Sequence, residues 1–223
     1  MTLFLTEDDS HSVYSEQFGV SYHSKHGAIQ ETQHVFINAG LNYTLQQSPT
    51  EINILEIGFG TGLNAFMTFL ESERQPIEIP INYIAVEAYP LSMEQVFQLN
   101  YVEQLDAAPY GDIFLKMHSS DWSDVHPLSK KFNFQKLLMN FEDIDFHNHV
   151  DLIYFDAFAP DVQPQLWEET LMKKMFNAMR LKGALTTYCA KGAVKRTLKS
   201  VGFFIESLPG PPGKREMTRA IKK

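Results

Sequence analysis

The sequence predicts an α/β fold on a mainly parallel, seven-stranded sheet whose last strand is reversed. Three observations carry this. Short apolar runs alternate with helical patterns from residue 52 onward, the order that lays strands parallel and covers both faces with helices. Residues 150–155, Val-Asp-Leu-Ile-Tyr-Phe, form a near-continuous apolar run, as expected for a strand buried on both sides. The last two apolar runs are joined by a loop containing Pro209, Gly210, Pro211, Pro212 and Gly213. A connection of that kind suits an antiparallel pair better than a helical crossover.

In chain order, residues 1–50 read as an N-terminal arm and helix packed on a core formed by residues 51–223. Tyr14, Phe18, Tyr22 and Phe36 punctuate the arm, and Gly19 and Gly27 suggest hairpin turns. A helix is expected over 30–45, with Gly40 interrupting it or ending it early. Strand one falls at 52–57. The helix at 62–72 has Leu63, Phe66, Met67 and Leu70 on one face. The polar, proline-bounded stretch 72–80 is a loop. Strand two is placed at 81–86, a helix at 90–99 and strand three at 113–118. Residues 122–149 are the least regular, but the spacing of Phe132, Phe134, Lys136 and Leu138 suggests an extra strand or hairpin. Strand four lies at 150–155, a helix at 163–179 and strand five at 184–189. A basic helix follows at 192–200, then strand six at 203–207 and strand seven at 216–221. No repeat or low-complexity segment interrupts this order.

A length of 223 residues suits one large domain. Hydrophobic residues make up 44% and charged residues 21%, ordinary for a globular chain. No eighteen-residue apolar run exists, so no membrane partner is expected. The acidic N-terminus lacks the features of a signal peptide. Cys189 is the single cysteine and cannot form an internal disulfide. A cytoplasmic location is therefore expected, with Cys189 a buried thiol rather than a nucleophile. The net charge of −8 is unevenly spread. Residues 191–223 carry nine basic and two acidic side chains, a net +7, against −15 for the other 190 residues. A basic end on an acidic body can hold phosphate locally, or it can be a solvated face.

Residues 54–64, Ile-Leu-Glu-Ile-Gly-Phe-Gly-Thr-Gly-Leu-Asn, join a strand to a helix through three alternate glycines. Such a turn brings bare backbone close to a nucleotide-like ligand. A dinucleotide fingerprint needs glycine at its sixth position, and Leu63 stands there. The pattern present, acidic-x-Gly-x-Gly-x-Gly from Glu56 to Gly62, resembles motif I of class I methyltransferases that use S-adenosylmethionine (SAM). Glu56, Gly58, Phe59, Gly60, Gly62, Leu63 and Asn64 are the candidate cofactor residues, against a tight turn with no ligand. Glu87, at the end of strand two, is placed to accept both ribose hydroxyls, or it is a solvated loop acid. Asp121 and Trp122, after the expected strand three, are candidates for contact with adenine in the methyltransferase layout. Asp121 also reads as a helix N-cap.

Asp156 ends strand four, where ligands of parallel sheets bind. Methyl transfer to nitrogen needs a neutral amine held in line, and a carboxylate there can orient it and stabilise the developing ammonium. Asp156 is the catalytic candidate and is also counted among the candidate cofactor residues, with a strand-end cap as the alternative. Phe158 and Pro160 could wall the pocket. Lys214 and Arg215, after the proline-glycine loop, could face the cleft and touch phosphate, or decorate an edge strand.

Together these segments resemble the SAM-dependent methyltransferase domain of the MnmC family, the bacterial tRNA 5-methylaminomethyl-2-thiouridine biosynthesis proteins. The matching segments are 56–64, Phe155-Asp-Ala-Phe-Ala-Pro160, Trp167, Lys214-Arg-Glu-Met217, and Tyr22-His-Ser and Glu31-Thr-Gln-His-Val-Phe36 in the arm. The resemblance covers nearly the whole chain. It implies the class I SAM-methyltransferase (Rossmann-like) fold, SAM as cofactor and methylation of the 5-aminomethyl group of a tRNA wobble uridine. It further implies SAM binding by Gly58, Gly60, Gly62 and Glu87, adenine contact by Asp121 and Trp122, and catalysis by Asp156. Bifunctional members carry an FAD-dependent oxidoreductase domain that this sequence does not contain, so a separate upstream oxidoreductase is the expected partner. Rival functions are a methyltransferase of a small amine or protein, a nucleotide-cofactor oxidoreductase and a catalytically silent partner. The failed dinucleotide spacing counts against the oxidoreductase, and the intact Asp156 against the silent partner.

Overall fold

Strands β4 (Ile52–Ile57), β5 (Ile81–Glu87), β7 (Phe132–Leu138), β8 (Val150–Phe155) and β9 (Met179–Thr187) form five parallel neighbours in the order β7-β5-β4-β8-β9. They belong to a computed structural model that describes residues 2–74 and 77–223. Gln75 and Pro76, in the expected loop 72–80, lie outside the described residues, as does Met1.

Beyond β9 the sheet continues with β11 (Glu216–Ile221) and then β10 (Phe204–Pro209). β11 runs antiparallel to both neighbours. The reversed last strand is thus inserted between strands five and six rather than placed at the edge. At the far end β6 (Val125–Pro127) pairs antiparallel with β7, giving eight strands among the described residues instead of seven.

Alternation along each strand divides the core. Ile52 and Ile54 of β4 pack with Tyr83, Phe132, Phe134, Leu152 and Tyr154 on one face. Leu55 and Ile57 pack with Ile84, Val86, Ile153 and Phe155 on the other. Helices α3 (Leu63–Arg74) and α6 (Gly111–Ser119) cover the first face; α7 (Glu169–Ala178) and α8 (Gly192–Ser200) cover the second. Asn53, Asn82 and Asn133 form an amide ladder across β4, β5 and β7, with 3.0 Å links. It satisfies polar side chains at the strand ends opposite the cleft.

Three expectations are corrected. Residues 113–118 are part of α6, not strand three. Phe114 and Met117 face the core three positions apart, a helical spacing that a short apolar run conceals. The third parallel strand is 132–138, where Phe132, Phe134 and Lys136 alternate inward. The expected helix at 90–99 shrinks to Met93–Val96, started by a capping box of Ser92 and Gln95. Gly40 does not break its helix. Residues 28–45 are helical throughout, π-helical over Gln33–Asn42. A Cβ at Gly40 would lie 3.0 Å from the Tyr154 ring, so glycine there serves close helix–sheet packing.

The arm forms a separate antiparallel sheet of β1 (Thr2–Leu5), β2 (His11–Ser15) and β3 (Val20–Ser21). Gly19 lies in the β2–β3 turn. Gly27 is instead the residue before α1 (Ala28–Thr32), where the Asp8 carboxylate accepts the Gln30 N–H at 3.0 Å. No helix among the described residues is long and apolar enough to cross a membrane.

Candidate active site

β4 stops at Ile57 and α3 starts at Leu63; Gly58, Gly60 and Gly62 between them have φ of 91°, 50° and 74°. That backbone favours glycine. Space adds a second reason: a Cβ would lie 3.1 Å from the Asp156 carbonyl at Gly58 and 2.9 Å from the Tyr22 ring at Gly60. The turn forms one wall of a cleft of ≈ 590 Å³ counted out to its mouth. Gly58, Phe59, Gly60, Leu63, Asn64, Glu87, Asp156 and Phe158 line it, joined by Phe18, Tyr22, His23, Thr61, Tyr89, Phe141, Ala157 and Gln163.

Glu87 enters from the end of β5. One carboxylate oxygen accepts the Gly60 N–H at 2.8 Å. The other accepts the N–H groups of Ala88 and Tyr89 at 2.9 and 2.7 Å. Burial raises its pKa, and these backbone donors oppose the rise. Glu56 is fully buried on the α3 side of β4. Neither of its oxygens has a hydrogen-bond partner among the described residues. Burial, then the charge of Asp156, push its pKa well above the usual range; Tyr83 and Asn64 lie beside it and partly oppose this.

Asp156 sits one residue past β8, its N–H donating to the Ile57 carbonyl at 3.1 Å. The Asn64 amide donates to its carboxylate at 2.8 Å, and the Thr32 hydroxyl donates to the Asn64 carbonyl oxygen at 2.8 Å. The chain Thr32–Asn64–Asp156 therefore fixes the carboxylate from α1 through α3. Burial first, then the charge of Glu31, push the Asp156 carboxyl up to about 8; Asn64 and Lys214 pull the other way. Trp167 donates to the Phe158 carbonyl at 2.8 Å and so pins the loop after Asp156. The Phe158 ring packs on Phe18 and Tyr22 at centroid distances of 5.0 and 5.2 Å.

A more open groove of ≈ 960 Å³ adjoins the cleft, lined by Pro160, Tyr188, Cys189, Lys191, Lys214, Arg215, Glu216 and their neighbours. Several cations of the basic stretch are already engaged. Lys191 pairs with Asp161, Lys195 with Glu216, Arg219 with Glu206 and Lys214 with Glu31. Arg196 and Arg215 are exposed. Formal charge counting therefore overstates what is free to meet phosphate.

Asp121 and Trp122 do not reach the cleft. With residues 113–118 helical, they follow α6 instead of a strand. The Lys136 ammonium lies 4.4 Å from the Trp122 ring centroid and donates to the His118 carbonyl at the end of α6. Phe141 and Tyr89 line the cleft instead. Gly62 stays in the turn, but its open side faces His118. Glu31, Asn64's partner Thr32, Tyr188 and the arm aromatics are brought to the site without a local motif to announce them. The only trace in the sequence is the aromatic spacing of the arm and the segment 31–36.

Cofactor fit follows from the chemistry of these groups. SAM carries an ammonium and a sulfonium, and the cleft presents two carboxyl groups, Glu87 and Asp156, around backbone left bare by glycine, with the buried Glu56 carboxyl behind the turn. Glu87 also lines the cleft, and a carboxylate can exchange a backbone donor for hydroxyls.

Comparison with known proteins agrees. A family model described as S-adenosyl-L-methionine-dependent methyltransferase matches residues 110–223. The tRNA 5-methylaminomethyl-2-thiouridine biosynthesis bifunctional protein MnmC of Leptospira borgpetersenii is 29% identical over 91% of this chain and 32% of its own length. Its counterpart in Leptospira interrogans is 28% identical over 96% of this chain and 34% of its own length. The chain thus spans about a third of these curated relatives. The crystal structure of MnmC2 from Aquifex aeolicus superposes with a TM-score of 0.79 over 99% of this chain and 69% of that one, at 20% identity, showing the same fold. The chain belongs to the S-adenosyl-L-methionine-dependent methyltransferase family.

Proposed function

We propose that this protein methylates a primary amine, the 5-aminomethyl group on the wobble uridine of tRNA, giving the 5-methylaminomethyl product. The observation that supports it best is the Asp156 carboxyl, oriented by Asn64 at 2.8 Å and placed between the glycine turn and the basic groove. The relatives' names point to the same modification. Residues 51–223 would be the methyltransferase core, with residues 1–50 as the arm that closes over it.

SAM, when bound, supplies an electrophilic methyl group on a sulfonium. Gly58, Phe59, Gly60, Gly62, Leu63 and Asn64 would hold it by backbone and shape, and Glu87 would take its ribose hydroxyls; Glu56, buried behind the turn with its pKa raised, would support that turn from the α3 side. Asp121 and Trp122 stand too far round α6 for a direct role in this scheme; Phe141 takes the apolar wall. Asp156 orients the acceptor nitrogen and takes its proton. Phe158 and Pro160 wall the acceptor pocket. Lys214 and Arg215 meet tRNA phosphate along the groove. The acceptor amine must be exposed on the uridine beforehand, which calls for an FAD-dependent oxidoreductase acting upstream.

The engaged cations favour one rival, a methyltransferase of a small amine. Incubation with labelled SAM and tRNA bearing 5-aminomethyluridine, followed by nucleoside mass spectrometry, separates the two. Appearance of 5-methylaminomethyluridine supports tRNA; methylation of free small amines alone replaces tRNA as substrate. On tRNA, Lys214→Ala with Arg215→Ala should flatten the dependence of affinity on salt, by about 0.7–0.9 in log–log slope for each phosphate no longer neutralised.

A further inference from the structure

One ion pair stands where the groove opens onto a small cavity that shares Tyr22, His23 and Phe158 with the cleft. Lys214 lines both the open groove and a smaller cavity beneath the arm, where Glu31, Phe158 and Tyr188 also lie. Its ammonium contacts the Glu31 carboxylate and stands 4.0 Å from the centroid of the Tyr188 ring. The Glu31 side chain is 8% exposed and that of Lys214 30% exposed. The acid is built into the site, and the base reaches it from outside. The Tyr188 hydroxyl donates to the Ala157 carbonyl at 2.9 Å, which fixes the ring one residue from Asp156.

A buried carboxylate beside an aromatic face is an ammonium receptor. What it holds now is the end of a lysine, a CH2–NH3+ group. The acceptor proposed above presents the same group, an aminomethyl that is protonated in water. The chemistry of the two is interchangeable at this position, and Glu31 lies close enough to Asp156 for its charge to be felt there.

We propose that Glu31 and the Tyr188 ring receive the substrate's ammonium, and that Lys214 fills this pocket in the free enzyme as an internal stand-in for it. The inference deepens the function proposed above and rests on it. When substrate arrives, its ammonium takes the place on Glu31 and Tyr188. The flexible Lys214 side chain swings into the groove toward phosphate, while its backbone stays tied to the Pro211 carbonyl at 2.9 Å. One N–H bond of the bound ammonium then breaks, and its proton passes to the Asp156 carboxylate. The nitrogen keeps the electron pair and uses it to form the N–C bond as the methyl leaves sulfur, where the C–S pair remains. Burial first, and then the negative charge of Glu31, make Asp156 a stronger proton acceptor, pushing it toward the range of a primary amine.

The test compares Glu31→Gln, Tyr188→Leu and Lys214→Met with wild type. Substrates are the free nucleoside 5-aminomethyluridine and tRNA that bears it. Calorimetric binding of SAM checks that each variant is folded. Glu31→Gln should raise KM for both substrates at least tenfold, and Tyr188→Leu several-fold. Lys214→Met should lower KM for the nucleoside, because the competing cation is gone, and raise it for tRNA, because a cation that meets phosphate is gone. These opposite signs are the signature. A Lys214→Met enzyme whose nucleoside KM rises like that of Glu31→Gln makes the pair a structural salt bridge and overturns the proposal, as does a Glu31→Gln enzyme with unchanged KM. If wild type methylates neither substrate, the proposed function is what fails. The pocket is then decided by titration with benzylammonium chloride: tighter binding to Lys214→Met and weaker binding to Glu31→Gln uphold it, and equal binding to all forms overturns it.

Discussion

On the cofactor side of the cleft, nearly every group comes from residues 56–64 and from Glu87, and much of the wall is bare backbone. On the side proposed for the acceptor the groups come from α1, the end of β8, the end of β9 and the turn before β11. The Glu31–Lys214 pair there is 183 positions apart in the chain. The first side is made by local backbone geometry, which a glycine pattern encodes directly. The second is made by tertiary packing, which no local pattern can encode. A single fold thus carries a site whose cofactor half is set by the turn and whose acceptor half is set by what the arm and the last strands bring to it.

If the halves are separable, Asp156→Ala should cut turnover by roughly 10²–10⁴, the range for a positioned acid–base group. SAM affinity, measured by calorimetry, should stay within about tenfold. A collapse of SAM binding in this variant breaks the division, because it makes Asp156 part of the cofactor half as well.

Gly60→Val should do the reverse. It places a β-branched residue at φ 50°, against the Tyr22 ring. The conformation alone costs on the order of 1–3 kcal/mol, and the side chain also enters ligand space. SAM affinity should fall by about a hundredfold or more, while the melting temperature shifts by only a few degrees. Retained affinity would remove the glycine turn from the cofactor half.

The same contrast explains what was legible in the sequence. β4, β8, α8 and β11 fall where periodicity and glycine punctuation put them. The reversed last strand follows from its short connection. The glycine turn, Glu87 and Asp156 converge on one cleft because each ends a parallel strand or starts the helix after it. Residues 113–118 misled, because Ile-Phe-Leu-Lys-Met-His satisfies strand and helix patterns equally until its neighbours choose. That one error carried Asp121 and Trp122 to the wrong place. Glu31 and Tyr188 were invisible as a pair, since only the fold brings α1 to the end of β9.

A pH experiment sharpens the acceptor half. In the unfolded chain the Asp156 carboxyl ionises near 3.8; in the fold it ionises near about 8. Between those values the folded state holds the extra proton, so its contribution to stability is whole below about pH 4 and is lost as pH rises through about 8. Asn cannot ionise. Asp156→Asn should therefore melt higher than wild type above pH 8, with the gap closing toward pH 4. Each kcal/mol of relief should appear as roughly 2–4 °C. An equal gap at every pH would mean that the carboxyl is not held protonated by burial. SAM, being cationic, should favour the ionised carboxylate, so its binding near pH 7 should release protons, visible as a dependence of the calorimetric heat on the buffer used.

The smallest effect tests whether the halves are joined at all. Tyr22 touches both: its ring lies against Gly60 on the cofactor side and meets Phe158 edge-on at 5.2 Å and 76° on the acceptor side. Such a ring pair contributes about 0.5–1.5 kcal/mol beyond its buried area, a factor of roughly 2–12 in an equilibrium constant. Tyr22→Leu keeps an apolar side chain in the arm but loses the ring. If the arm couples the two halves, both the SAM dissociation constant and the acceptor KM should rise by that modest factor. In a double-mutant cycle with Phe158→Leu, the two changes should then fall short of additive. A shift in only one constant, or strict additivity, would leave the arm as a cover over two independent sites. The simplest account would then be that cofactor and acceptor meet only through the reacting nitrogen beside Asp156.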